Sequence, residues 1–320
     1  MKAEAIGIKT IKVTNSAINF AVLIIITALI AFAGYALWDS KQLHQAADKS
    51  NYSVYKPSQA NEGKSFKELQ AINDEVFAWL TVYGTNIDYP VTQAEDNMKY
   101  VNTNAEGRYS LSGAIFLDFN NSKDFTDFNS ILYGHHMAKK VMFGEIGDFA
   151  DKAMFDSHKY GNLYFNEKDH GIEFFAFLHA DAYDHSVFTA AVLDGDRQAY
   201  LDNLLMKSMH IRDIGVSIQD RIVLLSTCSS DSTNGRDILV GRLSDSPFDD
   251  QVITETNSGI ENISTGRDIV VKEIPLWAIL LVVVLTALLI VRILKHTQIP
   301  HMIFTRLGVA AKTDKRKIQV

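Results

Sequence analysis

The chain has 320 residues, 47% of them hydrophobic and 22% charged, with 5 prolines and no low-complexity tract. That balance belongs to a folded protein and excludes a disordered or collagen-like chain. A formal charge of −7 argues against general nucleic-acid binding, and a single cysteine excludes both an intramolecular disulfide framework and a four-cysteine zinc site.

Residues 1–16 carry Lys2, Lys9 and Lys12 against Glu4 and read as a short cytoplasmic tail. Residues 17–38, from Ala17 to Trp38, contain no charge. About 20 apolar helical residues cross a bilayer core, so this segment is predicted to be a transmembrane helix. Its apolar stretch is too long for a typical cleaved signal peptide, although Ala31-Phe32-Ala33 resembles a cleavage site. Residues 39–65 are polar, contain Pro57 and Gly63, and read as a stalk.

A folded domain is expected over 66–248. It opens with Leu69, Ile72, Val76, Phe77 and Leu80 at helical spacing. Strand-like segments follow at 87–91, 113–119, 130–134, 174–183, 221–227 and 237–243, and a second helix is predicted over 196–210. Short strands with few helices between them point to an all-β barrel or sandwich. Residues 249–273 read as a linker. Ile274–Val291 is again uncharged, and a second transmembrane helix is expected over 274–294, with Arg292 snorkelling to the interface. The tail 295–320 carries six of the seven basic residues that follow Val291 and a single acid, Asp314. Basic residues at both ends place both tails in the cytoplasm and the acidic middle outside the cell.

The chemistry centres on Cys228. Ile222-Val223-Leu224-Leu225 reads as a buried strand leading into Ser226-Thr227-Cys228-Ser229, so the thiol sits where a strand meets a polar loop. Lone cysteines are commonly inert core residues, but a thiolate at a strand end is a competent nucleophile when a base lies nearby. Ser130 to His136 repeats the same plan: a strand, then Gly134, then His135 and His136. Imidazole suits proton transfer near neutral pH. Adjacent residues on extended chain point oppositely, so the two histidines would not readily share a metal ion. Arg236 begins the strand after a polar loop. If the two strands pair antiparallel, it lies opposite Cys228 and can stabilise an oxyanion. Arg242 lies six residues further on, about 20 Å along an extended strand, and is the weaker candidate.

Leu-Ser-Thr-Cys at 225–228, Tyr-Gly-His at 133–135 and Gly-Arg at 235–236, in the order His, Cys, Arg, resemble the sortases. These are membrane-anchored cysteine transpeptidases of Gram-positive bacteria. The resemblance covers roughly 66–245 and includes Asp88-Tyr89-Pro90-Val91, Gly113-Ala114-Ile115-Phe116-Leu117-Asp118 and Met142-Phe143-Gly144. With a helix just before the cysteine strand, it looks most like class B. It implies a closed eight-stranded β-barrel with N-terminal helices, flanked here by two transmembrane helices.

The resemblance also implies roles. Cys228 would attack a Thr–Gly-type bond of a sorting signal, His135 would carry a proton to the leaving amine, and Arg236 would position the signal and stabilise the oxyanion. Ser226 and Thr227 would touch substrate. No metal or organic cofactor is required. The expected partners are sorting-signal-bearing surface proteins or pilins, with a pilin lysine or a peptidoglycan cross-bridge as the amine acceptor. A second, C-terminal span is more usual in pilin-polymerising class C enzymes, but the Asp-Pro-aromatic lid of that class is absent from 39–85. Two rival readings stay open at this point: a tethered cysteine peptidase with water as acceptor, and a non-enzymatic surface receptor.

Overall fold

The computed structural model describes residues 2–57, 64–229 and 234–250. The first helix, α1 (Lys2–Ala46), begins in one compact unit, and from Lys41 the chain belongs to a second. Within α1, Thr10–Ala46 is 37 residues long, with a mean hydropathy of 2.5 in its most apolar stretch, none of it buried. It is long and apolar enough to cross a membrane. The expected span at 274–294 lies outside the described residues, as do most of the expected linker and the basic tail.

The second unit contains strands β1 (Val76–Val82), β2 (Asp88–Thr92), β3 (Ile115–Leu117), β4 (Asn129–Tyr133), β5 (Tyr160–Phe165), β6 (Lys168–Asp181), β7 (Ser208–Ile211), β8 (Arg221–Cys228) and β9 (Gly235–Ser244). Its helices are α2 (Lys64–Ile72), α3 (Lys152–Ser157) and α4 (Arg197–Lys207). Eight strands close into a barrel in the order β5-β1-β2-β3-β4-β8-β9-β6, with β6 returning to β5. Closure depends on the length of β6. One of its edges pairs with β9 from Gly171 to Asp181; the other is shared by β5 and then β7. Closing the sheet removes the open edges that would otherwise invite aggregation.

Strand alternation divides the apolar residues between two faces. Val223, Leu225 and Leu239 join a core that runs through the barrel and beneath α2, with Trp79 and Phe66 fully or nearly buried. Ile222, Leu224, Ile238 and Val240 point to the other face and pack with Tyr200, Leu201 and Leu204 of α4.

Several elements differ from expectation. The helical spacing read over 66–80 is interrupted. Here α2 stops at Ile72, Asn73 N–H bonds the Leu69 carbonyl, and Val76, Phe77 and Leu80 lie in β1. β1 pairs on both edges, with β2 and β5, and both its faces are covered: the barrel core lies on one side and Phe66 of α2 packs against Trp79, with ring centroids 6.4 Å apart. A strand covered on both faces loses simple alternation. The helix expected over 196–210 ends at Lys207, and Met209 lies on β7.

Part of the presumed stalk is also structured. Residues 39–46 continue α1, and Ala47 and Tyr52 are buried. Tyr89 donates its hydroxyl to the Ala47 carbonyl at 3.0 Å, and Lys56 pairs with Asp88 at 2.8 Å. Trp79 Nε1 and Thr81 donate to the same Asp88 carboxylate, so the segment 47–57 is tied to β1 and β2.

Candidate active site

β8 carries its apolar residues in a continuous buried run and exposes only its last side chain, the free thiol of Cys228. In the antiparallel β8–β9 ladder, Cys228 is the register partner of Arg236. Directly opposed residues in such a ladder have Cα atoms about 4.5–5.5 Å apart and share a face. The Arg236 guanidinium is half-buried, and its Nη1 donates to the Gly235 carbonyl at 2.9 Å. That bond holds the side chain at the start of β9 and uses one of the five N–H donors of the guanidinium.

β4 runs parallel to β8, with Tyr133 opposite Ser226. Gly134 N–H continues the ladder by donating to the Ser226 carbonyl at 3.1 Å. His135 and Cys228 each lie two residues beyond that matched pair, at the same end of neighbouring strands. Gly134 is required by space: a Cβ there would meet Ile115 Cδ1 at 2.6 Å and Phe143 Cδ2 at 2.7 Å. His135 Nε2 lies 2.8 Å from the Val101 carbonyl, whereas His136 is exposed and its backbone bridges to Met142.

The remaining predicted residues divide. Ser226 shares the face of Cys228 and Arg236, is 1% exposed, and its hydroxyl has no hydrogen-bond partner. Thr227 alternates to the opposite face, beside Asp237, and is also buried with an unpartnered hydroxyl. It therefore does not share the surface that displays the thiol. Arg242 is committed elsewhere: its guanidinium donates to Glu173 at 2.6 Å and to the Ile214 carbonyl at 3.1 Å. Among the described residues no group of three or more His, Cys, Asp or Glu side chains is arranged to hold a metal ion.

Two supporting groups escaped sequence reasoning. Tyr133 donates its hydroxyl to Asp118 at 3.1 Å, and Asp118 also accepts from Asn97 at 2.8 Å. Burial, reinforced by the Asp118 charge, pushes the Tyr133 hydroxyl far above its ordinary value, so it remains a neutral donor. Tyr133 also stacks with Phe188, at 6.5 Å between centroids. The second group is Asn129. Its amide donates to the Thr189 carbonyl at 2.7 Å and to the Tyr200 hydroxyl at 3.1 Å, and its carbonyl accepts from Val192 N–H at 2.8 Å. Asn129 thereby pins the β6–α4 connection against β4. Asp118 falls within the quoted Gly113–Asp118 segment and Tyr133 within Tyr-Gly-His, but no local pattern signals that they meet.

No family model matches the chain. The chain is 31% identical to the sortase B of Listeria monocytogenes over 179 residues, which is 55% of this chain and 73% of that protein. Among solved structures it is similar to sortase B from the Type II pilus of Streptococcus pneumoniae, with 48% identity and a TM-score of 0.50 over 57% of this chain and 99% of that one. It is also similar to a Streptococcus pyogenes class B sortase involved in pilus biogenesis, with 40% identity and a TM-score of 0.53 over 57% of this chain and all of that one.

Proposed function

The chain belongs to the class B sortases, a family of cysteine transpeptidases, and on that premise we propose that Cys228, His135 and Arg236 are its catalytic residues. The observation that carries this reading is the direct opposition of Cys228 and Arg236 across β8 and β9, with the end of β4 delivering His135 alongside.

The Cys228 thiolate attacks the carbonyl carbon of a Thr–Gly-type bond in a sorting signal. The oxygen takes up the electron pair, and the Arg236 guanidinium stabilises that developing charge. Collapse of the tetrahedral species breaks the C–N bond as His135, in its protonated form, gives a proton to the leaving amine. The thioester that remains on Cys228 is then attacked by an acceptor amine, which passes a proton back to His135 as the thiolate departs. The unpartnered Ser226 hydroxyl, on the same face as Cys228, supports a role in binding the signal. Thr227 has no such support, because it faces the other way.

The acceptor is a pilin lysine or a peptidoglycan cross-bridge. The likeness to two pilus-associated sortases favours the pilin. The apolar helix Thr10–Ala46 supports a membrane tether. The basic tails support a catalytic domain outside the cell, held by a second span at 274–294.

The test is covalent capture. With a sorting-signal peptide, the wild-type protein should gain the mass of the acyl fragment, and Cys228→Ala should not. An adduct on Cys228→Ala would refute the assignment. Added amine should divert the acyl group from water into a ligated product; hydrolysis unchanged by amine would favour a peptidase.

A further inference from the structure

Resting on the reading of His135 as the proton carrier, we propose that the Val101 carbonyl and Gly113 form a seat that fixes its tautomer. In that seat Nε2 keeps its proton throughout the cycle and Nδ1 alone carries the transferred proton.

A carbonyl oxygen has no proton to give, so the 2.8 Å contact from His135 Nε2 to Val101 O is a hydrogen bond only when Nε2 is the donor. In the neutral ring the lone pair then lies on Nδ1. In the charged ring both nitrogens carry protons, and release from Nδ1 leaves the bond to Val101 intact. The leaving amine therefore receives the Nδ1 proton, and the acceptor amine later restores it to the same atom.

The seat is built for a close fit. Gly113 has φ +60, a conformation that side chains rarely adopt. A Cβ on it would meet the Tyr100 carbonyl at 2.4 Å, the Val101 carbonyl at 2.8 Å and His135 Cδ2 at 3.2 Å. The absent methyl group thus leaves room for both the carbonyl and the ring that donates to it.

The segment bearing that carbonyl is anchored from behind. Tyr100 is 1% exposed; it donates its hydroxyl to Glu75 at 2.5 Å and accepts from Asn73 at 2.8 Å. Lys99 pairs with the same Glu75 at 2.6 Å, and Ala114 N–H bonds the Tyr100 carbonyl at 3.0 Å. Gly113 and the Val101 carbonyl are positioning groups, since they act through His135. A base oriented by a third group works only in the correct tautomer.

The experiment uses the full chain in detergent, labelled with 15N-histidine. His135 is assigned by the resonance missing from His135→Gln, and spectra are recorded at a pH where the ring is neutral. The expected spectrum has a protonated Nε2 and a bare Nδ1. A dominant Nδ1–H form, or an even mixture, overturns the proposal, and this measurement stands even if Gly113→Ala fails to fold. Gly113→Ala, where folded, should mix the tautomers and slow single-turnover acylation about 10²-fold, the scale expected for a catalytic group misplaced by an ångström. A folded Gly113→Ala with the wild-type spectrum and rate also overturns it. Full acylation by His135→Ala beside an Nε2–H spectrum would instead sink the reading of His135 as proton carrier and leave the seat standing.

Discussion

Asp237, the residue after Arg236, is 3% exposed and accepts a 2.5 Å hydrogen bond from Nδ1 of His179 on β6. Its side chain lies on the face opposite Arg236, and a Cβ on Gly147 would come within 2.9 Å of its Oδ2. The pair joins β6 to the first turn of β9, where the guanidinium departs. His179→Ala leaves a buried carboxylate without its donor, which typically costs about 1–3 kcal/mol. The melting temperature should fall accordingly. Asp237→Asn keeps an acceptor for His179 and should lose less. Equal losses in the two variants would show that the contact matters only as packing.

Arg236 and Arg242 offer a matched comparison on one strand. Removing an oxyanion donor costs about 10²–10³ in the chemical step. Arg236→Ala should lose that much in single-turnover acylation at saturating sorting peptide, and Arg236→Lys less, because charge survives while the planar fork is lost. Arg242→Ala breaks the ion pair with Glu173 and should lower stability while acylation proceeds normally. Acylation that survives Arg236→Ala but fails in Arg242→Ala would exchange their roles.

Adjacent histidines should behave unequally. His135→Ala is expected to abolish nearly all turnover, since His135 is the imidazole that the end of β4 carries on the face of Tyr133. His136 is exposed, and His136→Ala should keep most of the wild-type kcat/KM. The opposite ranking, measured with the same peptide, would move the proton carrier to His136.

His170 supplies an acid-sensitive element. It is buried, and its ring stacks on Phe165 with centroids 3.8 Å apart. Burial pushes its pKa below the ordinary value of 6.5. The unfolded chain therefore takes up the proton more readily than the folded one, and stability falls as pH drops below about 6.5 and on through the lower folded value. His170→Gln should flatten the dependence of melting temperature on pH across that window. An unchanged slope would assign the acid sensitivity to other groups.

The barrel and the placement of the candidate residues were legible in the sequence to different depths. Cys228, His135 and Arg236 stood out because each follows or begins an apolar strand next to a polar loop, and the ladders bring those strand ends together. β1 was misread because burial on both faces erased its alternation, leaving Val76, Phe77 and Leu80 at distances a helix would also produce. The β5–β6 hairpin was missed because its two-residue turn is Asn166-Glu167, with φ values of 49 and 61, where glycine would have announced it. Thr227 was expected beside substrate with Ser226, and adjacency in sequence does not show that the two side chains leave β8 on opposite faces. The support given by Asn129 and Asp118 depends on contacts between distant segments, which no local pattern encodes.

The parallel pairing of β4 with β8 joins segments about 90 residues apart, and β9 must then add to β8 before the barrel can close. Loop-closure entropy disfavours such a pairing until the intervening strands have folded. The thiol, imidazole and guanidinium therefore converge only once the last barrel strand is in place. A chain that stops before β9 carries Cys228 with no Arg236 opposite it. The opposition of Cys228 and Arg236 is thus a property of the completed barrel and of no shorter part of it.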